Sequence, residues 1–394
     1  MSIFRRLSSR SLAVVLGALA VFGASTVLAV TALGGGSTPG PLPLAQAAHD
    51  ALSAPPLEGV TARISFTDNL LGSSTLGALA SAAGSPLLSG ASGRMWLTGD
   101  GHLRLELQSD AGDAQIVSDG TTLSVYDASS NTAFQLALPP QPSTPTTVPA
   151  VPSVSEIDAA LAQLAGVADV SGAIPDSVAG HPAYTVTVSP KANGGLVGSA
   201  EFSWDAATGV PLHLAIYAKG DPKPVLALTA TDISYGPVAA SDVNVSPPVG
   251  ATIVPITLPT GSASGTGGTS AATGLDAVTA ALPFSLAAPD SLNGLVRTEV
   301  RLTGTTADPG ALVTYGQGLG TLVVSEHATP AGAAADAAGP LALLPGVSIN
   351  GAPGHELVTA LGSIVVFARG GVSYTVAGSV AQSDAEQAAR ALAP

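Results

Sequence analysis

There is no cysteine among the 394 residues of this chain. That absence excludes disulfides, thiolate metal sites, a cysteine nucleophile and the lipid-modified cysteine that usually anchors a bacterial lipoprotein. Basic residues are scarce: 13 Lys and Arg stand against 27 Asp and Glu, a net charge of −14. Arg5, Arg6 and Arg10 all lie in the leader, so the remainder is more acidic still. An acidic body lacks the basic footprint that a nucleic-acid partner requires. Charged residues make up 10% and hydrophobic residues 46%, so the chain can bury a large apolar surface. The six histidines, His49, His102, His181, His213, His327 and His355, show no H-x-x-x-H or H-x-H pairing. No local metal motif results, and no cofactor is expected.

Glycine and proline are plentiful, at 46 and 31, which points to many turns and hence to β structure with linkers. Arg5, Arg6 and Arg10 precede an uncharged run at 12–33. As a helix that run of about 22 residues spans about 33 Å, enough to cross a bilayer. The arginines place its N-terminus in the cytoplasm and the body outside. It is either an uncleaved anchor or a cleaved signal peptide with Val27-Leu28-Ala29 as the small-residue site. Its length favours the anchor. Residues 34–42 then form a flexible tether.

A short helix is expected at 44–52, with Leu44, Ala48 and Ala51 on one face. Strands are read from period-two alternation: Ala62, Ile64 and Phe66 against Arg63 and Ser65, then Leu103, Leu105 and Leu107 against His102, Arg104 and Glu106. Ser118-Asp119-Gly120 is a hairpin turn. Ser153-x-x-Glu156 opens a helix carrying Ile157, Leu161 and Leu164 on one face. Strands follow at 183–188, 202–205, 212–217 and 226–233. Asp205-Ala-Ala-Thr-Gly209 is a turn in which Asp bonds its own backbone and Gly takes positive φ.

Several of these pieces occur together in one known arrangement. Trp204-Asp205, Thr208-Gly209-Val210-Pro211-Leu212, the stretch from Thr229 to Ile233, and Pro247-Pro248-Val249-Gly250-Ala251 follow one another in order. Upstream stand Val117-Ser118-Asp119-Gly120 with Leu123 and Tyr126-Asp127, and Val178-Ala179-Gly180-His181-Pro182-Ala183-Tyr184. In order and spacing they resemble the LolA-like outer-membrane lipoprotein carrier superfamily over residues 43–254. The resemblance implies a mainly β, α+β fold: a curved antiparallel half-barrel whose open side is plugged by helices. It implies lipoprotein carriers or envelope-stress regulators as functional models. A Gly/Ser/Thr-rich linker at 255–274 leads to a smaller α+β domain at 275–394, which resembles C-terminal domains of extracytoplasmic actinobacterial proteins. There Ser383-x-x-Glu386 is read as capping a last helix with Ala385, Ala388 and Leu392 inward.

Catalytic motifs are weak. Gly261-Ser-Ala-Ser264-Gly265 fits G-x-S-x-G but lies in the linker, without the strand and helix a nucleophile elbow needs. Gly316-Gln-Gly318-Leu-Gly320 sits between two strands and reads as a hairpin turn rather than a phosphate loop. Asp110 and Asp113 read as a solvated turn rather than a Ca²⁺ site. The chain is therefore read as not an enzyme. What remains is the apolar sheet face. Ile64, Phe66, Leu103, Leu105, Leu107, Val186, Phe202 and Trp204 are candidate lining residues of a lipid cavity; the bland alternative is that they are plain core. The expected partners are a lipid or acylated lipoprotein, the cell membrane through the N-terminal segment, and a membrane protein if the chain is an envelope sensor.

Overall fold

A computed structural model describes residues 38–71, 86–110, 112–138, 151–256, 272–305, 308–329 and 344–392. The apolar run at 12–33, the G-x-S-x-G motif and most of the linker lie outside the described residues. Among the described residues no helix is long and apolar enough to cross a membrane.

The first part builds one sheet. Its strands are β1 (Gly59–Asp68), β2 (Ala91–Thr98), β3 (Leu103–Ser109), β4 (Gly112–Ser118), β5 (Thr122–Asp127), β6 (Thr132–Ala137), β7 (Ala168–Val170), β8 (Ile174–Val178), β9 (His181–Pro190), β10 (Val197–Asp205), β11 (Pro211–Ala218), β12 (Pro224–Tyr235) and β13 (Thr252–Ile256). Helices α1 (Leu44–Ser53), α2 (Pro86–Ser89), α3 (Val154–Leu164) and α4 (Ala240–Val243) accompany it. The strand order is β13-β6-β5-β4-β3-β2-β1-β12-β11-β10-β9-β7, with β8 also paired to β9. Every pairing is antiparallel except that of β13 with β6. This is the curved antiparallel half-barrel the resemblance implies.

The second part is β14 (Ser291–Leu292), β15 (Leu295–Gly304), β16 (Pro309–Tyr315), β17 (Leu322–Ala328), β18 (Gly346–Ile349), β19 (Ala352–Thr359), β20 (Gly362–Arg369) and β21 (Val372–Gly378), with helices α5 (Leu275–Ala281) and α6 (Gln382–Leu392). Its order is β14-β15-β16-β17-β21-β20-β19-β18.

Alternation explains most of the first sheet. Val60, Ala62 and Ile64 are buried along β1, while Arg63 between them is exposed. Capping explains α3: the Ser153 hydroxyl accepts from the Glu156 N–H, and the Glu156 carboxylate accepts from the Ser153 N–H at 2.8 Å. Turn chemistry explains β10 to β11. The Asp205 carboxylate accepts the N–H groups of Ala207 and Thr208 at 2.8 and 2.9 Å. Gly209 takes φ +71, and a Cβ there would lie 2.5 Å from the Ala51 carbonyl, so only glycine lets the end of α1 approach.

Some elements depart from expectation. In α1 the buried residues are Ala45, Ala47 and Ala51, with Leu44 and Ala48 only half-buried. Ser383 does not cap α6: the helix already runs at Gln382, and the Ala381 carbonyl accepts from Asp384 and Ala385. Glu386 instead accepts from Arg390 and Gln382. Ala385, Ala388 and Leu392 are buried as expected.

The apolar interior forms three clusters. One fills the half-barrel around Val60, Ile64, Leu107 and Leu212. A second lies between α1 and strands β9 and β10, around Ala47, Ala51, Tyr184 and Trp204. The third joins α5 and α6 to the second sheet and holds Phe367 and Tyr315, both fully buried. Full burial of a side chain such as Phe367 contributes about 1.5–3 kcal/mol.

Candidate ligand face

Strand register separates the two faces of the half-barrel. One row on the inner face reads Ile233, Ala62, Met95, Leu105, Ile116, Val125, Phe134 and Val254 across eight strands. Another reads Val186, Phe202, Leu214, Leu228, Phe66 and Ala91. The outer face is polar at the same level. Asp232, Arg63, Arg94, Glu106, Gln115 and Tyr126 form one continuous row there.

The eight candidate residues divide. Ile64, Leu107, Val186 and Trp204 are buried, whereas Phe66, Leu103, Leu105 and Phe202 are half-buried. Ile64, Phe66, Leu105 and Leu107 meet inside the half-barrel. Val186, Phe202 and Trp204 meet beneath α1, where the Phe202 and Trp204 rings stack at 5.7 Å. Leu103 belongs to neither cluster; its register neighbours are Leu97 and Ser118. Two apolar side chains on these rows stand open to solvent: Leu214 is 47% exposed and Phe134 37% exposed. Both escape the sequence-derived list. The Leu212, Leu214, Ile216 alternation marks Leu214 as inward, but alternation carries no sign of which inward residues lack a cover.

The described residues also form a pocket of about 470 Å³ with a mixed lining of Glu58, Thr98, Gly99, Asp100, His102, Val238, Ala240, Val243 and Asn244. It lies between the turn joining β2 to β3 and the segment around α4. His102 Nδ1 is 3.2 Å from Asn244 Oδ1. The Thr98 hydroxyl donates to Asp100 and holds its carboxyl below the usual range, with a smaller contribution from His102. None of the eight candidates lines this pocket.

A nucleophile–base–acid order does occur on the polar face. The Thr229 hydroxyl lies 2.7 Å from His213 Nδ1, and His213 Nε2 lies 3.3 Å from Glu201. Thr229 is mid-strand on β12, paired to Ser65 and His213 on its two sides. The backbone N–H groups around it serve the sheet ladders, so no oxyanion hole adjoins the hydroxyl. Among the described residues no group of three or more His, Cys, Asp or Glu side chains is placed to hold a metal ion.

No protein-family model matches the chain. No curated protein matches it. Solved structures do. MucB in complex with MucA(peri) is 18% identical, covers 88% of this chain and 94% of its own, and superposes with a TM-score of 0.42. The MucA/MucB complex of Pseudomonas aeruginosa is 18% identical over 88% of this chain and 96% of its own, with a TM-score of 0.43. An uncharacterized conserved protein from Thermus thermophilus is 8% identical over 54% of this chain and 98% of its own, at 0.33. The half-barrel assignment rests on strand order and register.

Proposed function

We propose that this chain is an extracytoplasmic, non-catalytic carrier or chaperone-like binding protein that holds the acyl chain of a lipid or acylated lipoprotein against its concave face. One observation carries the reading: the row Val186, Phe202, Leu214, Leu228 and Phe66 is wholly apolar, yet Leu214 in its middle is 47% exposed. An acyl chain laid along such a row gains about 0.8 kcal/mol per buried CH₂ and asks for few polar anchors. Ile64, Leu107, Val186 and Trp204 form the floor; Phe66, Leu103, Leu105, Phe202 and Leu214 make the contacts. The arginine-flanked run at 12–33 supports an address outside the cytoplasm, anchored or secreted.

Native mass spectrometry of the purified protein tests the reading. A bound lipid is expected in the wild type and lost in Leu214→Asp, with the circular dichroism spectrum unchanged. A wild type that carries and takes up no lipid overturns it.

The regulatory alternative, an envelope-sensing module acting on a membrane protein, is favoured by a different observation. The second sheet is hydrogen-bonded to the loop between β9 and β10 through Leu196 to Ser379 and Gly320 to Asn193, which gives the chain a second surface beside the half-barrel. Capture of one specific membrane protein, gained or lost with bound lipid, would select this reading.

A further inference from the structure

The outer face of the half-barrel holds an arrangement that costs stability. Arg63 on β1 and Arg94 on β2 are directly opposite each other in the register, and both side chains are exposed. Residues so placed bring their Cβ atoms to about 4.5–5.5 Å, and like charges at that distance repel. Cations are scarce in this chain: with Arg5, Arg6 and Arg10 set aside, ten of the 13 Lys and Arg remain. Arg104, Lys191, Arg297, Arg301 and Arg390 each stand within ion-pair distance of a carboxylate. Among the described residues Arg63 and Arg94 do not. Asp232 is opposite Arg63 on β12 and Glu106 is opposite Arg94 on β3, yet neither closes an ion pair with its neighbour. Glu106 is held by Arg104 instead.

The adjoining positions on this face add donors. Ser65 and Ser92 are also opposite each other, two residues along the same strands. Alternation turns all four side chains to one side, about 7 Å apart along each strand. They form a two-by-two block, two guanidiniums beside two hydroxyls. Each guanidinium presents a rigid fork of N–H donors and each hydroxyl adds an O–H. A carboxylate brings two oxygens to such a block, whereas a phosphate group brings three strong acceptors. An anion seated between the guanidiniums also replaces their repulsion with charge-assisted hydrogen bonds.

We propose that Arg63 and Arg94, with Ser65 and Ser92, bind a phosphate group, carried either by a soluble phosphate ester or by a lipid headgroup. The site is on the face opposite the apolar row at Leu214, so it stands or falls independently of the acyl-binding reading.

Trp96 is half-buried on the same face of β2, two residues from Arg94, so its fluorescence reports on the site. The test is titration of the purified protein with inorganic phosphate and with glycerol phosphate, read by fluorescence and by thermal unfolding, with acetate as the carboxylate control. Saturable binding of both phosphates is expected, at least about tenfold tighter than acetate, and weakened at least about tenfold in Arg63→Gln and in Arg94→Gln. Arg301→Gln removes an arginine of the second sheet and should bind as wild type does. Unfolding gives an independent readout. Without ligand, Arg94→Gln should unfold at or above the wild-type temperature, because a like charge is gone, and phosphate should raise the midpoint of the wild type alone. Flotation with phosphatidylcholine vesicles containing phosphatidic acid separates the two sources. Flotation of the wild type but not of Arg94→Gln assigns a lipid headgroup; glycerol phosphate binding without flotation assigns a soluble ester. No saturable binding of either phosphate or of the vesicles overturns the proposal, and so does binding that survives both arginine substitutions. Acetate bound as tightly as phosphate overturns the phosphate assignment.

Discussion

The hydroxyl of Tyr235 donates to the carboxylate of Asp205 across 2.7 Å and so ties the end of β12 to the turn that follows β10. Asp205 is buried, and besides the two turn N–H groups it has His181 Nδ1 at 3.1 Å. The His181 ring stands edge-on to Tyr235 at 5.4 Å. Burial, above all, pushes the Tyr235 phenol far above its ordinary value, so it remains a donor at every physiological pH. Tyr235→Phe keeps the ring and removes the donor. It should cost about 1–3 kcal/mol, the penalty of leaving a buried acceptor short of a partner. Urea unfolding checks this; an unchanged midpoint would show the bond to be dispensable.

Glu326 predicts how stability follows pH. It is fully buried on β17, and one carboxylate oxygen accepts the Ala287 N–H at 3.0 Å. The other has no hydrogen-bond partner among the described residues. Burial pushes this carboxyl up to about 7 from 4.5, partly offset by the Ala287 N–H. The folded state therefore favours the neutral acid. Its contribution is fully present below about pH 4.5, is lost as pH rises to about 7, and is level above that, a difference of roughly 3 kcal/mol. Glu326→Gln should flatten this slope and stabilise the protein at pH 8. The same slope in wild type and variant would assign the pH dependence elsewhere.

Floor and contact residues should separate in a stability series. Ile64 is buried in the half-barrel, so Ile64→Ala should cost about 2–5 kcal/mol. Leu214 is 47% exposed, and Leu214→Ala should cost well under half as much. Lipid retention should show the reverse order. Thermal unfolding with and without lipid measures both, and equal destabilisation by the two changes would make Leu214 ordinary core.

Pro255 protects an edge. β13 is the outer strand of its sheet, and the Thr252 N–H donates to the Asn131 carbonyl at 2.9 Å. Alternation then turns residues 253 and 255 outward, and proline offers no N–H there. Ile253 and Ile256 are exposed beside it, at 49% and 43%. Pro255→Thr restores a second outward donor on an apolar edge, so it should promote concentration-dependent association. Sedimentation velocity reads this out; a variant that stays monomeric across concentrations would assign the protection to other residues.

Much of the fold is legible in the sequence because local chemistry decides it. The Leu103, Leu105, Leu107 alternation, the Ser153 and Glu156 capping box and the Asp205 to Gly209 turn each specify their own structure. β13 is not legible in this way. Pro255 argues against a strand, and the partner that overrides it is β6, which lies far back along the chain. The β8 to β9 hairpin is hidden too, since its turn uses Ala179 at φ +53 before Gly180 at φ +80. Alanine is rarely chosen for that conformation. At the candidate site, period-two alternation gives the face but not the cover. Ile64 and Leu214 look alike in sequence, and what sits above them makes one core and the other surface.

The place of β1 sets the order in which this protein can complete itself. It pairs with β2 on one side and with β12 on the other, so Val60 must wait for Tyr235. A ribosome therefore delivers β1 to β6 long before the sheet can close, and the emerging chain keeps one edge unpaired throughout. Pairings this distant fold slowly. Until its far half has been made, the edge of β1 that faces β12 stays unpaired and the polypeptide stays threadable.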